Sequence, residues 1–201
     1  MSEAELAAEL DVREIRKPDK HPAIFVRFDA LAVTESFVLV NNHYPRHLRE
    51  EFEVEYPGGY GWEVVEDGPR VWRVRIAKTA STPLPRILTD TATADPGQPA
   101  TTGAVWTLPM RHRDLDSNII RLAPQGRIDT HRGPDADVLV HVLAGSGTLN
   151  TETGELDLAP GVLVWLPRRS QRAFTAGPDG LRYLTVHQRR QGLVLDPIGD
   201  R

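Results

Sequence analysis

The sequence predicts an α+β chain of two domains. The first is an N-terminal β-α-β-α-β-β two-layer sandwich over residues 5–78, and the second is a C-terminal all-β barrel over residues 104–190. Three observations lead there. The chain has 201 residues, a length that suits two small domains. The stretch KTASTPLPRILTDTATADPGQPATTG, Lys78–Gly103, is rich in Thr, Ala and Pro and carries little apolar periodicity, so residues 79–103 read as a linker. On either side of it the pattern differs: strands alternate with helices before it, and short strands alone follow it.

The N-terminal elements come in order. LDVREI, Leu10–Ile15, places Leu10 and Val12 two apart and reads as a strand. A first helix is predicted from Pro22 to about Leu31, with Ile24, Phe28 and Leu31 on one face. ESFVLVN, Glu35–Asn41, is a short apolar run fit for a buried strand. A second helix starts near Pro45, with Leu48 and Phe52 four apart. A proline near the front of each helix fits the first helical position, where a missing N–H costs nothing. WEVVED and RVWRVRIA flank Asp67-Gly68, a hairpin signal. A short strand at Arg86–Leu88 is expected within the linker. Beyond it, AVWTLPM, SNIIRLA, VLVHVLAG, GTLNTE, GELDLA, GVLVWLP, RAFTAG and LRYLTVHQ are strand-like runs broken by Gly, Pro and Asp, the spacing of a sandwich or barrel. Gly145-Ser146-Gly147 reads as a turn between two of these strands.

Composition narrows the function. The formal charge is −4 and the arginines are interleaved with acids, so nucleic acid is not the expected partner. The absence of cysteine excludes disulfides, thiolate ligands and a cysteine nucleophile. No apolar run approaches the ~20 residues of a membrane span, and MSEAELAAEL lacks the basic start of a signal peptide. The expectation is a cytoplasmic protein without a membrane partner.

The C-terminal half resembles the cupin family over nearly all its length. Cupins carry two motifs. The first runs from a glycine through His-x-His and a glutamate to a second glycine; the second runs from a glycine through Pro-x-Gly to a final histidine. Here they read QGRIDTHRGPDADVLVHVLAG, ending at Gly145, and GVLVWLPRRSQR, with Gly161 and Pro167 in place. The resemblance implies the barrel, but the family's metal ligands match badly. His131 takes the first histidine position, Gly133 the second, Val138 the glutamate position and Arg172 the last histidine position. One imidazole does not hold a transition metal against water, and Arg172 puts a fixed positive charge where the cation would sit. No metal or other cofactor is therefore expected. The alternative is one transition metal ion in an unorthodox centre drawn from His131, His112, His187 and Asp137. If the family's glutamate position points inward, as the resemblance implies, alternation places Val138, Val140 and Val142 inward and His141 outward. Trp106 and Trp165 read as barrel packing.

The N-terminal half resembles a bacterial domain family of unknown function, number twenty-two forty-nine. The likeness lies in ELDVREI, HPAIFVRFDAL, ESFVLVNNHYPRHLREEFEVEYPGGYGWE and GPRVWRVRIAK. It is similar, more distantly, to the TusA-like sulfur-carrier fold. Those carriers have Cys-Pro where this chain has His21-Pro22, so the carrier chemistry is not available.

In a β-α-β-α unit with a right-handed crossover the first two strands are parallel and end on one sheet edge. His21, expected just before the first helix, and His43, before the second, should then share that edge with two helix N-termini. Such an edge suits an anionic small molecule. The plain reading is that His21 caps its helix, that His43 closes the NNHYP turn with Asn41 or Asn42, and that His47 is a solvated surface residue. Glu50, Glu51, Glu53 and Glu55 read as a solvated helix face, and no catalytic residue is assigned. RRSQR, Arg168–Arg172, either binds an anion with His131 or is a loop paired to Asp135 or Asp137.

Three functions follow. The first is a small-molecule binding or sensing protein: the barrel holds an anionic ligand with His131 and Arg172, His187 joins the ligand-binding set, and the N-terminal domain with His21 and His43 is a second site or docking module. The second is a metal-dependent cupin enzyme, an oxygenase or isomerase. The third is an interaction protein whose barrel only dimerises. A homodimer is expected.

Overall fold

The computed structural model describes residues 8–93 and 102–189, and the chain divides into two compact units, Met1–Ile87 and Leu88–Arg201. The first unit runs β1 (Glu9–Asp11), α1 (Lys17–Asp29), β2 (Ser36–Asn41), α2 (Arg46–Glu55), β3 (Tyr60–Asp67) and β4 (Trp72–Lys78). Its four-stranded sheet has the order β1-β2-β4-β3. β1 pairs parallel to β2, with Leu10 opposite Leu39. The β2–β4 and β3–β4 pairs are antiparallel. β2 is central and every residue after Ser36 is buried, as a short apolar run in a sheet interior requires.

Both helices lie on one face of this sheet. Ile24, Phe25 and Phe28 of α1, with Leu48 and Phe52 of α2, share a core with Phe37, Leu39, Val74 and Ile76 of the strands. Phe52 is the hub: its ring lies 4.8 Å from Phe25, 5.0 Å from Phe28 and 5.1 Å from Tyr60.

Helix α1 starts at Lys17, five residues before the expected Pro22. Pro18 takes the early helical position that suits proline, and Pro22 lies inside the helix. Pro22 forfeits a bond to the Pro18 carbonyl. Both residues are exposed, so water takes that bond and the helix continues. His21 therefore sits in the second turn of α1, not before it. Arg86–Leu88 forms no strand. Pro83 and Pro85 remove donors just before it, and the segment is held instead by Arg86, whose Nη2 donates to the Val54 carbonyl at 2.6 Å.

The second unit is all β. It contains β5 (Gly103–Thr107), β6 (Leu115–Leu122), β7 (Arg127–Arg132), β8 (Val138–Thr151), β9 (Gly154–Leu158), β10 (Leu163–Leu166) and β11 (Gln171–Gln188). The main sheet runs β10-β8-β11-β6-β5, with β7 on β11 and β9 on β8. Among the described residues the pairing does not close into a ring. β8 and β11 are long and pair along most of their lengths. At Val138–His141, β8 carries β10, and at Gly147–Thr151 it carries β9. The first limb of β11 carries β7 and the second carries β6. The two limbs enclose one core, in which Leu149, Leu158 and Phe174 meet Val138, Val140, Val142, Leu181 and Tyr183.

Three sequence expectations change here. Gly145–Gly147 lies within β8 as a bend, not a turn between strands. Gly145 has φ 76°, and a Cβ there would stand 2.1 Å from the Gly180 carbonyl oxygen. The extra residues fall on β11, whose register against β8 jumps between Ala176 and Leu181. RAFTAG and LRYLTVHQ are thus two limbs of one strand. β7, RIDTHR, is a strand that the apolar pattern hid, because Ile128 is its only apolar residue. Trp165 is 60% exposed on the sheet's outer face and so is not packed inside.

Truncating the hub should be costly. Phe52→Ala is expected to destabilise the protein by about 3–5 kcal/mol, read as a lower urea midpoint at unchanged slope.

Candidate ligand-binding cleft

The end of the N-terminal sheet where β1 and β2 finish holds a cleft of about 740 Å³. Its walls come from the first two turns of α1 (Lys17, Lys20, His21), the end of β2 (Leu39, Asn41), the loop Asn42–Pro45, and the start of α2 (Arg46, His47, Leu48). The parallel β1–β2 pair sends the chain into α1 and then α2 from the same edge, so both helices begin there. No side chain caps either N-terminus. The partial positive charge of two helix starts therefore lies at this edge.

The histidines are held in a common way. His21 Nδ1 lies 3.0 Å from Glu51 Oε2, and the Glu51 side chain is only 15% exposed. Glu51 is therefore not part of a solvated face as the sequence suggested. His43 Nδ1 lies 2.6 Å from Asn42 Oδ1, and Asn41 Nδ2 donates to the His43 carbonyl at 3.1 Å, closing the turn. His47 Nδ1 lies 3.3 Å from Glu50 Oε2 on an exposed side chain. Asn41 is 5% exposed, and its Oδ1 is buried without a hydrogen-bond partner. An unmade bond of this kind costs about 1–3 kcal/mol. Lys17 and Lys20 were missed in the sequence because they precede the expected start of α1. Arg46 bonds Glu50 through Nε at 2.9 Å.

The residues of the second unit are arranged differently. His131 and Arg172 are opposite each other on β7 and β11, yet only Arg172 is buried, at 4% exposure. His131 is exposed, with Nδ1 2.9 Å from the Asp129 carbonyl oxygen. His187 is half-buried at the far end of β11, with Nδ1 3.0 Å from the Gln188 carbonyl oxygen. His112 lies exposed between β5 and β6. Asp137 Oδ1 accepts from the Arg168 backbone N–H at 2.8 Å, and Arg169 pairs with Asp135 at 2.9 Å. The RRSQR loop is therefore tied down by Asp135 and Asp137.

The Arg172 guanidinium lies across Gly133: a Cβ there would stand 1.3 Å from Nη2. In the cupin pattern these are two of the histidine positions, so one side chain fills the space of both. Burial pulls the Arg172 pKa below its ordinary value, and Nη1 is buried without a partner. Burial also pushes the Tyr183 hydroxyl up to about 12, with the Arg172 charge pulling the other way. The Tyr183 ring stacks on Phe174 at 5.1 Å. The residues at the four ligand positions do not fit a metal ion. Among the described residues no group of three His, Asp or Glu side chains is placed to hold one.

Residues 9–78 match the family model described as "Uncharacterized conserved protein (DUF2249)". No curated protein sequence matches this chain. Among solved structures, a cupin superfamily protein from Desulfitobacterium hafniense is 16% identical, with a TM-score of 0.43, over 52% of this chain and 94% of that one. A cupin-2 domain protein from Shewanella frigidimarina is 14% identical, with a TM-score of 0.37, over 46% and 84%. The polyketide cyclase RemF from Streptomyces resistomycificus is 23% identical, with a TM-score of 0.38, over 42% and 61%. Among the described residues no helix is long and apolar enough to cross a membrane.

Replacing the buried guanidinium should stabilise the second unit. Arg172→Met is expected to raise stability by about 1–4 kcal/mol in urea unfolding, and to move Tyr183 ionisation, followed by tyrosinate absorbance, still higher. In the unaltered chain the raised Tyr183 pKa implies stability that is full below about pH 10 and falls as pH rises towards about 12, because the native state there holds the proton the unfolded state has lost.

Proposed function

We propose that this chain is a two-domain cupin-type protein that binds or senses a small anionic ligand, without the metal centre usual in cupins. The observation that carries the reading is the N-terminal cleft: Lys17, Lys20, Arg46 and three histidines line one cavity beside an uncapped helix start. Phosphate and carboxylate groups are the natural occupants of such an edge. The barrel supports the non-metal part, since Arg172 and Gly133 stand where ligands would be and pack against each other. His131 is exposed and His187 lies at the other end of β11, whereas His21 and His43 line one cleft, which supports a ligand site in the first unit. A metal-dependent oxygenase or isomerase gains no support from the residues at the ligand positions.

The test is thermal stabilisation of the full chain by phosphate, propanoate and glycerate. At a hundred times Kd a bound anion adds ~2.7 kcal/mol. The double variant Lys17→Gln/Lys20→Gln should lose the shift. Absence of any shift, or a shift kept in the double variant and lost in Arg172→Met, would contradict the cleft.

The homodimer belongs to the same reading. Leu139, Leu163 and Trp165 are 44%, 64% and 60% exposed on neighbouring strands, with Trp165 opposite Leu139. Light scattering is expected to give twice the chain mass, dropping towards a monomer in Leu163→Lys/Trp165→Lys. A monomeric unaltered chain would refute it.

A further inference from the structure

We infer that residues 80–86 are a hinged strap of the first unit, latched at Arg86, which opens while the rest of that unit stays folded. The first unit runs to Ile87, nine residues past the family match that ends at residue 78. The added segment starts from a fixed point. Thr79 donates its backbone N–H to the Gly59 carbonyl at 3.0 Å and its Oγ1 hydrogen to the Gly58 carbonyl at 3.2 Å. Lys78 Nζ donates to the Asp29 carbonyl at the end of α1 at 2.8 Å. These bonds hold the chain where β4 ends and make the hinge.

The latch is the bond from Arg86 Nη2 to the Val54 carbonyl, 2.6 Å long and partly buried. Val54 lies in the last turn of α2, where carbonyls lack partners within the helix. That turn has no basic residue of its own. Its negative dipole end therefore takes a cation from 32 residues along the chain. Between hinge and latch the strap is lightly held. Residues 81–85 are all exposed, and Pro83 and Pro85 have no N–H to donate. Residues 80–84 form one wall of a pocket of about 190 Å³, with Phe28, Tyr56 and Pro57 on the other wall, so the strap spans a gap. The core of the unit reaches no further along the chain than Ile76. Opening the strap thus removes nothing from the core, and segments of this kind open at the low end of the stability range. The second unit begins at Leu88. With the strap closed, the connection to it starts after Arg86. With the strap open, it starts after Thr79 and is longer by residues 80–86.

The test is elastase digestion of the full chain at low enzyme concentration, where cleavage follows the open population. Elastase cuts after small residues such as Ala80 and Ser81. Removing a hydrogen bond to a charged group raises the open population about tenfold or more. Arg86→Ala should therefore be cut within residues 80–86 about tenfold faster than the unaltered chain. Arg86→Lys, which keeps a charged donor, should fall between the two. Exchange of the Thr79 amide and the urea midpoint should stay unchanged in both variants. Equal cleavage rates in all three chains would overturn the latch. Faster cleavage in Arg86→Ala with a matching loss of Thr79 amide protection, or with a lower urea midpoint, would overturn separate opening.

Discussion

The parallel pairing of β1 with β2 is the constraint on which the cleft depends. Parallel neighbours need a crossover, and here the crossover is α1. The chain must leave β1 and β2 at the same sheet edge, so the first turns of α1 and α2 arrive side by side. Everything chemical about the edge follows: two uncapped helix starts, the lysines of α1 and the histidine-bearing loop before α2. The core under them is fixed by Phe52, which packs against Phe25, Phe28 and Tyr60 at once. The helices therefore cannot slide along the sheet without opening that cluster. The floor of the cleft is the end of a buried strand.

The second unit works by an opposite principle. Its core is filled from within by a side chain that would be expected at a binding site. Arg172 reaches over Gly133, and a residue with any Cβ at that position would displace it. The buried guanidinium has an unpaired Nη1 and a stacked Phe174–Tyr183 pair in the same core. A charge so placed lowers stability and deters a metal ion.

Much of the fold was legible because periodicity is strong where packing is one-sided. The order β-α-β-α-β-β could be read from spacing alone, and the inward valines Val138, Val140 and Val142 from alternation once the resemblance set which face is inside. The misreadings have physical causes. Pro18 and Pro22 both suit a helix start, and no capping side chain arbitrates between them. RIDTHR lacks alternation, so β7 is specified by its partner strand. Gly145 and Gly180 look like turn residues, yet they allow close approach of two long bent strands. At the site, the shared edge of His21 and His43 was readable from topology. Lys17 and Lys20 were not, because they hung on the helix start. The Glu51 partner of His21 and the lone Asn41 oxygen depend on side-chain geometry that no spacing encodes. The exchange of Arg172 for a metal ligand was visible as two substitutions in a resemblance, but their mutual contact was not.

The central claim is that an anion sits at the edge where β1 and β2 end. Amide chemical-shift mapping of the labelled full chain during glycerate titration tests it most directly. The account predicts saturable shifts confined to residues 17–21 and 41–48, with the amides around Gly133 and Arg172 unmoved. Shifts centred on residues 131–133 and 171–174, or no saturable shift anywhere, would contradict it.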